Sequence, residues 1–310
     1  MSDSLRLSVP DLSDTHAAEE FYRVADAARD VDGYDPFNEQ SRFDVASGRR
    51  TPVVATAWAE QQHGRAIGAA IVGHGELDLV IDPVFRGKGY GSVALGGLMP
   101  NLRGVVTAWS HGDHPAARIL AGRHGFSATR TLLQLRLDPI AESTASVTST
   151  TSTSSETGSR PPSVTIAAFD PNTDAAEWVA VNASVFATHP EQGGVTQDDL
   201  HERMAEPWFD AGDFLVARDA DGRMIGYNWL KIEPEAHDGE IYVIGVDASA
   251  AGQGLGRRLM AAGLDRLRQR GCTSASLYVE ADNAAAVHLY RSIGFAEHTV
   301  DVQYTRPLVP

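Results

Sequence analysis

Cysteine and lysine are nearly missing from this chain. Cys272 is the single cysteine in 310 residues, so no disulfide can close within it. A lone thiol fits a reducing, cytoplasmic compartment. It follows Gly271 and opens an apolar strand pattern, so it reads as a small buried hydrophobe rather than a reactive group. Lysine occurs twice, at Lys88 and Lys231; nearly all remaining positive charge is arginine. Positive charge is itself scarce. The 26 Lys and Arg stand against 41 Asp and Glu, a formal net charge of −15, which argues against nucleic acid or an anionic membrane as partner. No segment is apolar for long enough to span a bilayer, and Met1-Ser-Asp-Ser-Leu-Arg6 has no apolar core for a secretion signal. A cytoplasmic monomer acting on small molecules is expected.

The length leaves room for two domains, each with its own core. Residues 143–159 contain thirteen Ser or Thr out of seventeen, between Asp138-Pro139 and Arg160-Pro161-Pro162. So polar a stretch cannot bury enough surface to fold. It predicts a flexible linker over 139–163 between a domain at 1–138 and another at 164–310.

The two flanks repeat one another. Leu77-Asp-Leu-Val-Ile-Asp82 followed by Arg86-Gly-Lys-Gly-Tyr-Gly91 aligns with Tyr242-Val-Ile-Gly-Val-Asp247 followed by Ala251-Gly-Gln-Gly-Leu-Gly256 at an offset of 165. Asp113 through Gly125-Phe126 aligns with Asp282 through Gly294-Phe295 at an offset of 169. Each half opens with a short β pattern and a helix. Middle strands recur at Val53 to Trp58 with Ala66 to Val72, and at Phe214 to Ala217 with Met224 to Trp229. Asp219-Ala-Asp-Gly222 is a hairpin turn between the latter two. Each half therefore reads as β, helices, antiparallel meander, then βαβαβ: a mixed α/β (α+β) fold in tandem.

The chemistry is carried by Gly239 to Phe295. Glu240-Ile-Tyr-Val-Ile-Gly-Val246 is a strand, Gly252-Gln-Gly-Leu-Gly256 opens a helix, and Leu255, Leu259, Leu264 and Leu267 form that helix's apolar face before Gly271 closes it. A glycine loop between strand and helix presents unpaired N–H groups at the positive end of a helix dipole, which binds phosphate or pyrophosphate. No Gly-Lys-Ser/Thr follows, so this is not a Walker loop, and no further βα units make it a dinucleotide fingerprint.

Gly252-Gln-Gly-Leu-Gly256 followed by Asn283-x-x-Ala286-x-x-x-Tyr290-x-x-x-Gly294-Phe295 resembles the acetyl-CoA and tail motifs of the GCN5-related N-acetyltransferases (GNAT). The pattern departs at Ala251, where that family has Gln or Arg. The resemblance implies tandem GNAT domains and acetyl-CoA as cosubstrate, with no metal. It implies acetyl-CoA contacts from Ile244, Gly245 and Val246 on the strand. In the loop it implies Ala251, Gly252, Gln253, Gly254, Leu255, Gly256 and Arg257. On the following helix it implies Asn283, Ala284, Ala285, Ala286, Val287 and His288. The first half carries the same loop in better form, which implies a CoA-like ligand on Leu79, Val80 and Ile81 and on Gly87, Lys88, Gly89, Tyr90, Gly91 and Ser92.

Proton transfer separates the halves. An amine must be neutral to attack a thioester, so a base is required. Glu240 is the best placed carboxylate, acting through water, and the oxyanion donor is a backbone N–H near Ile244. Tyr290 is the candidate acid for the departing thiolate. Alone, each residue reads more simply as a solvated strand-start carboxylate and a core aromatic; the motif tips both toward catalysis. Counted back from Asp82, the first half has Gly75 where the second has Glu240. Glu76 is one residue away and is expected on the opposite face. Ala121 stands in place of Tyr290. The first half is thus expected to bind a CoA-like ligand without catalysing.

Over its whole length the chain is similar to a tandem branch of the family that acetylates the cysteinyl amine of a pseudo-disaccharide, Cys-GlcN-inositol. The stretches that carry this are His189-Pro-Glu-Gln-Gly-Gly194, Trp229-Leu-Lys231, Gly239 to Asp247 and Leu277 to Asn283. That likeness implies acceptor contacts from Glu191, Lys231, Glu240 and Tyr278, with Glu39 from the first half. Glu191, Lys231 and Glu39 each have a surface ion pair as the plainer reading. His111-Gly-Asp-His114 carries possible metal ligands but duplicates Glu280 to Asn283, and reads as a divergent loop. Two other readings stay compatible with these residues: an acetyltransferase for another amine, such as an aminoglycoside or a protein N-terminus, and a non-catalytic CoA sensor.

Overall fold

The computed structural model describes residues 5–57, 65–141, 164–187, 189 and 192–307. The first repeat runs β1 (Leu5–Ser8), α1 (Thr15–Asp32), α2 (Glu39–Ala46), β2 (Thr51–Ala57), β3 (Ala66–Gly73), β4 (Glu76–Ile81), α3 (Tyr90–Leu98), β5 (Val106–Ser110), α4 (Pro115–Arg123) and β6 (Ser127–Leu137). The second runs β7 (Thr165–Ala168), α5 (Ala175–Val185), α6 (Gln197–Met204), β8 (Phe214–Arg218), β9 (Met224–Lys231), β10 (Asp238–Val246), α7 (Leu255–Gln269), β11 (Ser274–Glu280), α8 (Ala284–Ile293) and β12 (Ala296–Arg306). The order of strands and helices is identical in the two. The Ser/Thr-rich linker and Trp58 lie outside the described residues.

Two compact units form, and they cut across the repeats. The first comprises 1–133, 280–282 and 299–310; the second comprises 134–279 and 283–298. In the first unit β1, β2, β3, β4 and β5 lie side by side in that order, and the strand beyond β5 is β12, from the second repeat. Val302 pairs with Ser110 and Arg306 with Val106 in an antiparallel ladder. In the second unit the order is β11, β10, β9, β8 and β7. Strand β6 gives its early residues to the first unit and Gln134 onward to the second.

In the first unit α1 is set by its caps and its spacing. The Asp14 carboxylate accepts from the Ala17 N–H at 2.9 Å, and Gly33 ends the helix at φ 83°. Phe21, Val24, Ala25 and Ala28 recur at helical spacing and pack on Ala69, Ile71 and Val80 of the sheet. Losing a buried ring such as Phe21 costs about 3–5 kcal/mol in comparable cores.

The second unit is built round aromatics. Trp178 of α5, Phe214 of β8, and Tyr227 and Trp229 of β9 are essentially fully buried. The Phe214 and Trp229 rings stack at 4.5 Å between centroids. The other face of this sheet is covered by α7 through Leu255, Leu259, Met260, Leu264 and Leu267. Gly263 lets that helix approach β9: a Cβ there would lie 2.3 Å from Asn228 Nδ2, which donates instead to the Leu259 carbonyl at 3.0 Å.

Candidate active site

In the second unit two parallel strands open into a cleft. Strands β10 and β11 are in register from Asp238 opposite Ser274 to Ile241 opposite Leu277. The registered pairs stop there, although β10 continues to Val246 and β11 to Glu280. On its other edge β10 stays paired with β9, and the Asp247 N–H donates to the Ile225 carbonyl at 2.9 Å. Alternation along an antiparallel ladder then turns the backbone N–H groups of Ile244 and Val246 toward the opened edge. Gly245, between them, has its backbone directed to β9.

A bulge between Ile241 and Val243 decides which side chains face the site. Before it, Gly239 faces α7, where a Cβ would meet Leu267 Cδ2 at 2.3 Å. After it, Gly245 faces the Tyr227 ring on the other side, and Val246 packs toward Gly256 of α7. The extra residue reverses the alternation. Glu240, Tyr242 and Val243 therefore share the α5 face. Glu240 is half-buried, directly opposite Lys231 on β9 and Ser276 on β11. Tyr278, two residues past Ser276 and 45 % exposed, is on the same face just beyond the last registered pair.

The glycine loop follows. Asp247 caps a single 3-10 turn by accepting from the Ser249 N–H at 2.9 Å. Gly252 at φ 73° and Gly254 at φ 78° then bring the chain into α7 with no side-chain cap. The first N–H groups of this fifteen-residue helix, from Leu255, Gly256 and Arg257, have no capping side chain, the arrangement that receives a pyrophosphate. Gln253 Nε2 braces the loop on the Ser249 carbonyl at 2.9 Å. Arg257 donates to Ser292 Oγ at 2.8 Å on α8. A Cβ at Gly256 would lie 3.4 Å from Leu289, so the absence of a side chain keeps α7 close to α8. Ala251, where the motif departs, ends the 3-10 turn in extended conformation.

Helix α8 starts under Asn283, whose Oδ1 accepts from the Ala286 N–H at 3.2 Å. Its first residues are Ala284, Ala285, Ala286, Val287 and His288. Tyr290 is 7 % exposed, with its ring 6.1 Å from that of Phe295. Burial pushes its phenol up to about 12, so it holds its proton throughout the neutral range.

The first unit repeats this arrangement. Gly87 at φ 74° and Gly89 at φ 87° lead into α3, again without a side-chain cap. A cavity of about 410 Å³ is lined by Leu79, Val80, Ile81, Gly87, Gly89, Tyr90, Gly91 and Ser92, with Trp109, Ser110 and His111 also on its wall. Lys88 instead folds back, its Nζ 3.3 Å from the Val84 carbonyl. Strands β4 and β5 are in register only at Glu76 opposite Thr107.

One expectation is overturned here. Gly75 was the expected counterpart of Glu240, with Glu76 on the opposite face. The ladder between β3 and β4 is unbroken from Gly68 opposite Ile81 to Gly73 opposite Glu76. That between β9 and β10 runs from Gly226 opposite Val246 to Lys231 opposite Glu240 and contains the bulge. The bulge absorbs one residue, so Glu76 is the counterpart of Glu240, and it sits opposite Thr107 as Glu240 sits opposite Ser276. Glu76 also shares a face with Val80, toward α1, as Glu240 does toward α5. What differs is its surroundings. Arg50, only 2 % exposed at its side chain, holds Glu76 at 3.0 Å and Asp78 at 2.8 Å. Ala121 is buried at the position of Tyr290, in α4.

Of the acceptor contacts expected from sequence, Lys231 and Glu240 are neighbours across the ladder, and Tyr278 shares their face. Glu39 opens α2 in the first unit. Glu191 lies outside the described residues. No group of three or more potential metal ligands occurs among the described residues. His111 pairs through Nδ1 with Asp301 at 2.8 Å, and the Gly112 N–H donates to the same carboxylate at 2.9 Å. Sequence reading missed Tyr242 and Trp208, whose rings lie against Lys231, and Arg203, which donates to the Tyr242 hydroxyl. No local pattern marks the bulge that brings Tyr242 there. No helix among the described residues is long and apolar enough to cross a membrane.

Comparison with known proteins agrees with this geometry. Residues 178–295, which span α5 to α8, match the Acetyltransferase (GNAT) family. A mycothiol acetyltransferase of Clavibacter sepedonicus is 45 % identical over 91 % of this chain and 90 % of its own length. One of Clavibacter michiganensis subsp. michiganensis is 44 % identical over 91 % and 89 %. Among solved structures, a tandem GNAT protein from the clavulanic acid biosynthesis pathway superposes with a TM-score of 0.68 over 99 % of both chains at 16 % identity, a likeness of fold. The chain belongs to the mycothiol acetyltransferase family, a tandem GNAT family, and is an acetyl-CoA-dependent N-acetyltransferase.

Proposed function

We propose that the second unit acetylates the cysteinyl amine of Cys-GlcN-inositol, with Glu240 as general base and Tyr290 as general acid. The observation that carries this is the opening of the β10/β11 ladder one residue past Glu240, with a protonated Tyr290 on α8. The acceptor itself rests on the relatives, which are named mycothiol acetyltransferases.

The chain's groups divide the reaction as follows. Glu240 takes a proton from the acceptor ammonium through water, and the neutral amine attacks the thioester carbonyl carbon. The N–H groups of Ile244 and Val246, free of the β9 ladder, receive the carbonyl oxygen as it becomes an oxyanion. As the tetrahedral intermediate collapses, the C–S bond breaks, Tyr290 gives its proton to the thiolate, and the nitrogen's second proton leaves through water to restore the Tyr290 phenol, while Glu240 returns its proton to solvent. The products are an amide and free CoA. The glycine loop and the start of α7 hold the pyrophosphate. Lys231, Tyr278 and Glu191 supply donors and acceptors for the sugar hydroxyls.

The first unit is assigned a CoA-like ligand without turnover. Its glycine loop and cavity are complete, but Arg50 neutralises Glu76 and Ala121 offers no proton. The lone buried thiol, Cys272, is in keeping with a reducing cytoplasm.

The test is mass spectrometry after incubation with acetyl-CoA and Cys-GlcN-inositol, with free cysteine and an aminoglycoside as parallel acceptors. Acetylation of Cys-GlcN-inositol alone is expected. Acetylation of only another acceptor would retain the chemistry and discard the substrate.

A further inference from the structure

Lys231 is surrounded by aromatic rings that no acceptor contact explains. Its ammonium lies 5.3 Å from the centroid of the Trp208 ring and 6.0 Å from that of Tyr242. The two rings meet edge-on at 5.1 Å, and Trp208 also packs at 5.7 Å on Trp229. Tyr242 is fixed from the far side, because Arg203 of α6 donates from Nε to its hydroxyl at 3.3 Å. The bulge in β10 is what turns Tyr242 to this face. Trp208 is 4 % exposed, so it offers no surface to a substrate. Its indole Nε1 is buried with no acceptor among the described residues. What Trp208 gives its surroundings is therefore its π face.

The same ammonium is also paired with an exposed carboxylate. Glu233 Oε1 lies 3.1 Å from Nζ, on a side chain that is 56 % exposed. A lysine ammonium on a four-carbon stem follows the stronger attraction, and the negative face of an indole is the best aromatic partner for a cation. Lys231 stands directly opposite Glu240 on the adjacent strand. Seated on the rings, its charge lies on the same face as the base; the exposed Glu233 carboxylate, paired with it in that same position, does not by itself fix the stem.

We propose that Trp208 is a positioning residue: its indole face, backed by Tyr242, holds the Lys231 ammonium on the Glu240 face of the cleft, where it meets the acceptor. This rests on the acceptor role given to Lys231 above. The positioning can nonetheless be read without any acceptor. Only two lysines exist, so in protein labelled with 13C-lysine the two side-chain signals are assigned by a single Lys231→Met variant. The Lys231 εCH2 protons are expected upfield of their usual position in the wild type, through the ring current of Trp208. Trp208→Leu should abolish that shift and Trp208→Phe should keep part of it. An unshifted Lys231 signal in the wild type would overturn the proposal.

Kinetics supply the second readout. Trp208→Leu should raise the acceptor KM by about tenfold, change kcat less, and leave the KM for acetyl-CoA unaltered, which also reports an intact cleft. Trp208→Phe should restore most of the acceptor KM. In the Lys231→Met background Trp208→Leu should add little further loss. A Trp208→Leu defect that is undiminished in that background, or that falls on acetyl-CoA instead, would make Trp208 a packing residue only. A ring-current shift present as expected, with an acceptor KM that ignores both residues, would leave Trp208 in place and remove the acceptor role of Lys231.

Discussion

Glu76 and Glu240 occupy the same place in their two meanders, one facing Thr107 and the other Ser276 across a parallel pair. They share position and differ in company. Arg50 binds Glu76 from a buried site, whereas Glu240 has Lys231 opposite it across the antiparallel ladder. The two units thus share a carboxylate position and a glycine loop and differ in the cation beside the carboxylate.

Glu240→Gln keeps the shape of the side chain and removes its basicity. Turnover is expected to fall about a hundredfold or more, with the KM for acetyl-CoA little changed. Steady-state kinetics with saturating acceptor would show it, and wild-type kcat would remove Glu240 from the mechanism.

Tyr290 ties stability to alkaline pH. Its folded-state value is raised from 10 to about 12 by burial, so between these limits the unfolded chain loses the proton while the folded one keeps it. Fewer protons on the unfolded state means that stability falls as pH rises through this window, by about 3 kcal/mol for this group. Tyr290→Phe should therefore flatten the decline above pH 10 in denaturant titrations, and lower kcat at neutral pH. An identical alkaline profile in wild type and variant would contradict the buried, protonated phenol.

His111 has the same sign in a lower pH window. Burial opposes its charge, but the Asp301 carboxylate at 2.8 Å more than offsets this and raises the imidazole above its usual value of 6.5. A raised histidine contributes stability fully below 6.5 and loses it as pH rises through the folded value. Asp301→Asn should destabilise the first unit more at pH 6 than at pH 8, as read by thermal melts at the two pH values.

Gly263→Ala tests packing alone. The added methyl would stand 2.3 Å from Asn228 Nδ2 and 3.2 Å from Leu230 Cδ2. Forcing α7 away from β9 should cost about 1–3 kcal/mol despite the better helix propensity of alanine. A stabilised variant in urea titration would mean that Asn228 can swing aside.

Arg50→Leu leaves Asp78, 5 % exposed, without its cation. A loss of about 3–5 kcal/mol is expected. Because Ala121 remains, freeing Glu76 should not make the first unit catalytic; in an Arg50→Leu, Glu240→Gln double variant, turnover should stay at the level of Glu240→Gln.

The sequence by itself determined the duplication, the order of strands and helices, both glycine loops and the start of α8. These depend on local rules: positive φ at Gly252 and Gly254, an asparagine cap at Asn283, and apolar spacing along α7. Tertiary structure decided the rest. Strand β12 pairs with β5 of the other repeat, a choice between similar edges that no local pattern encodes. The bulge at Tyr242 arises from the fit between β9 and β10, and a one-residue insertion in a ladder is invisible to counting along the chain. Its effect is large because strand alternation has a period of two: a single absorbed residue changes which side chains meet, and so which glutamate answers to Glu240.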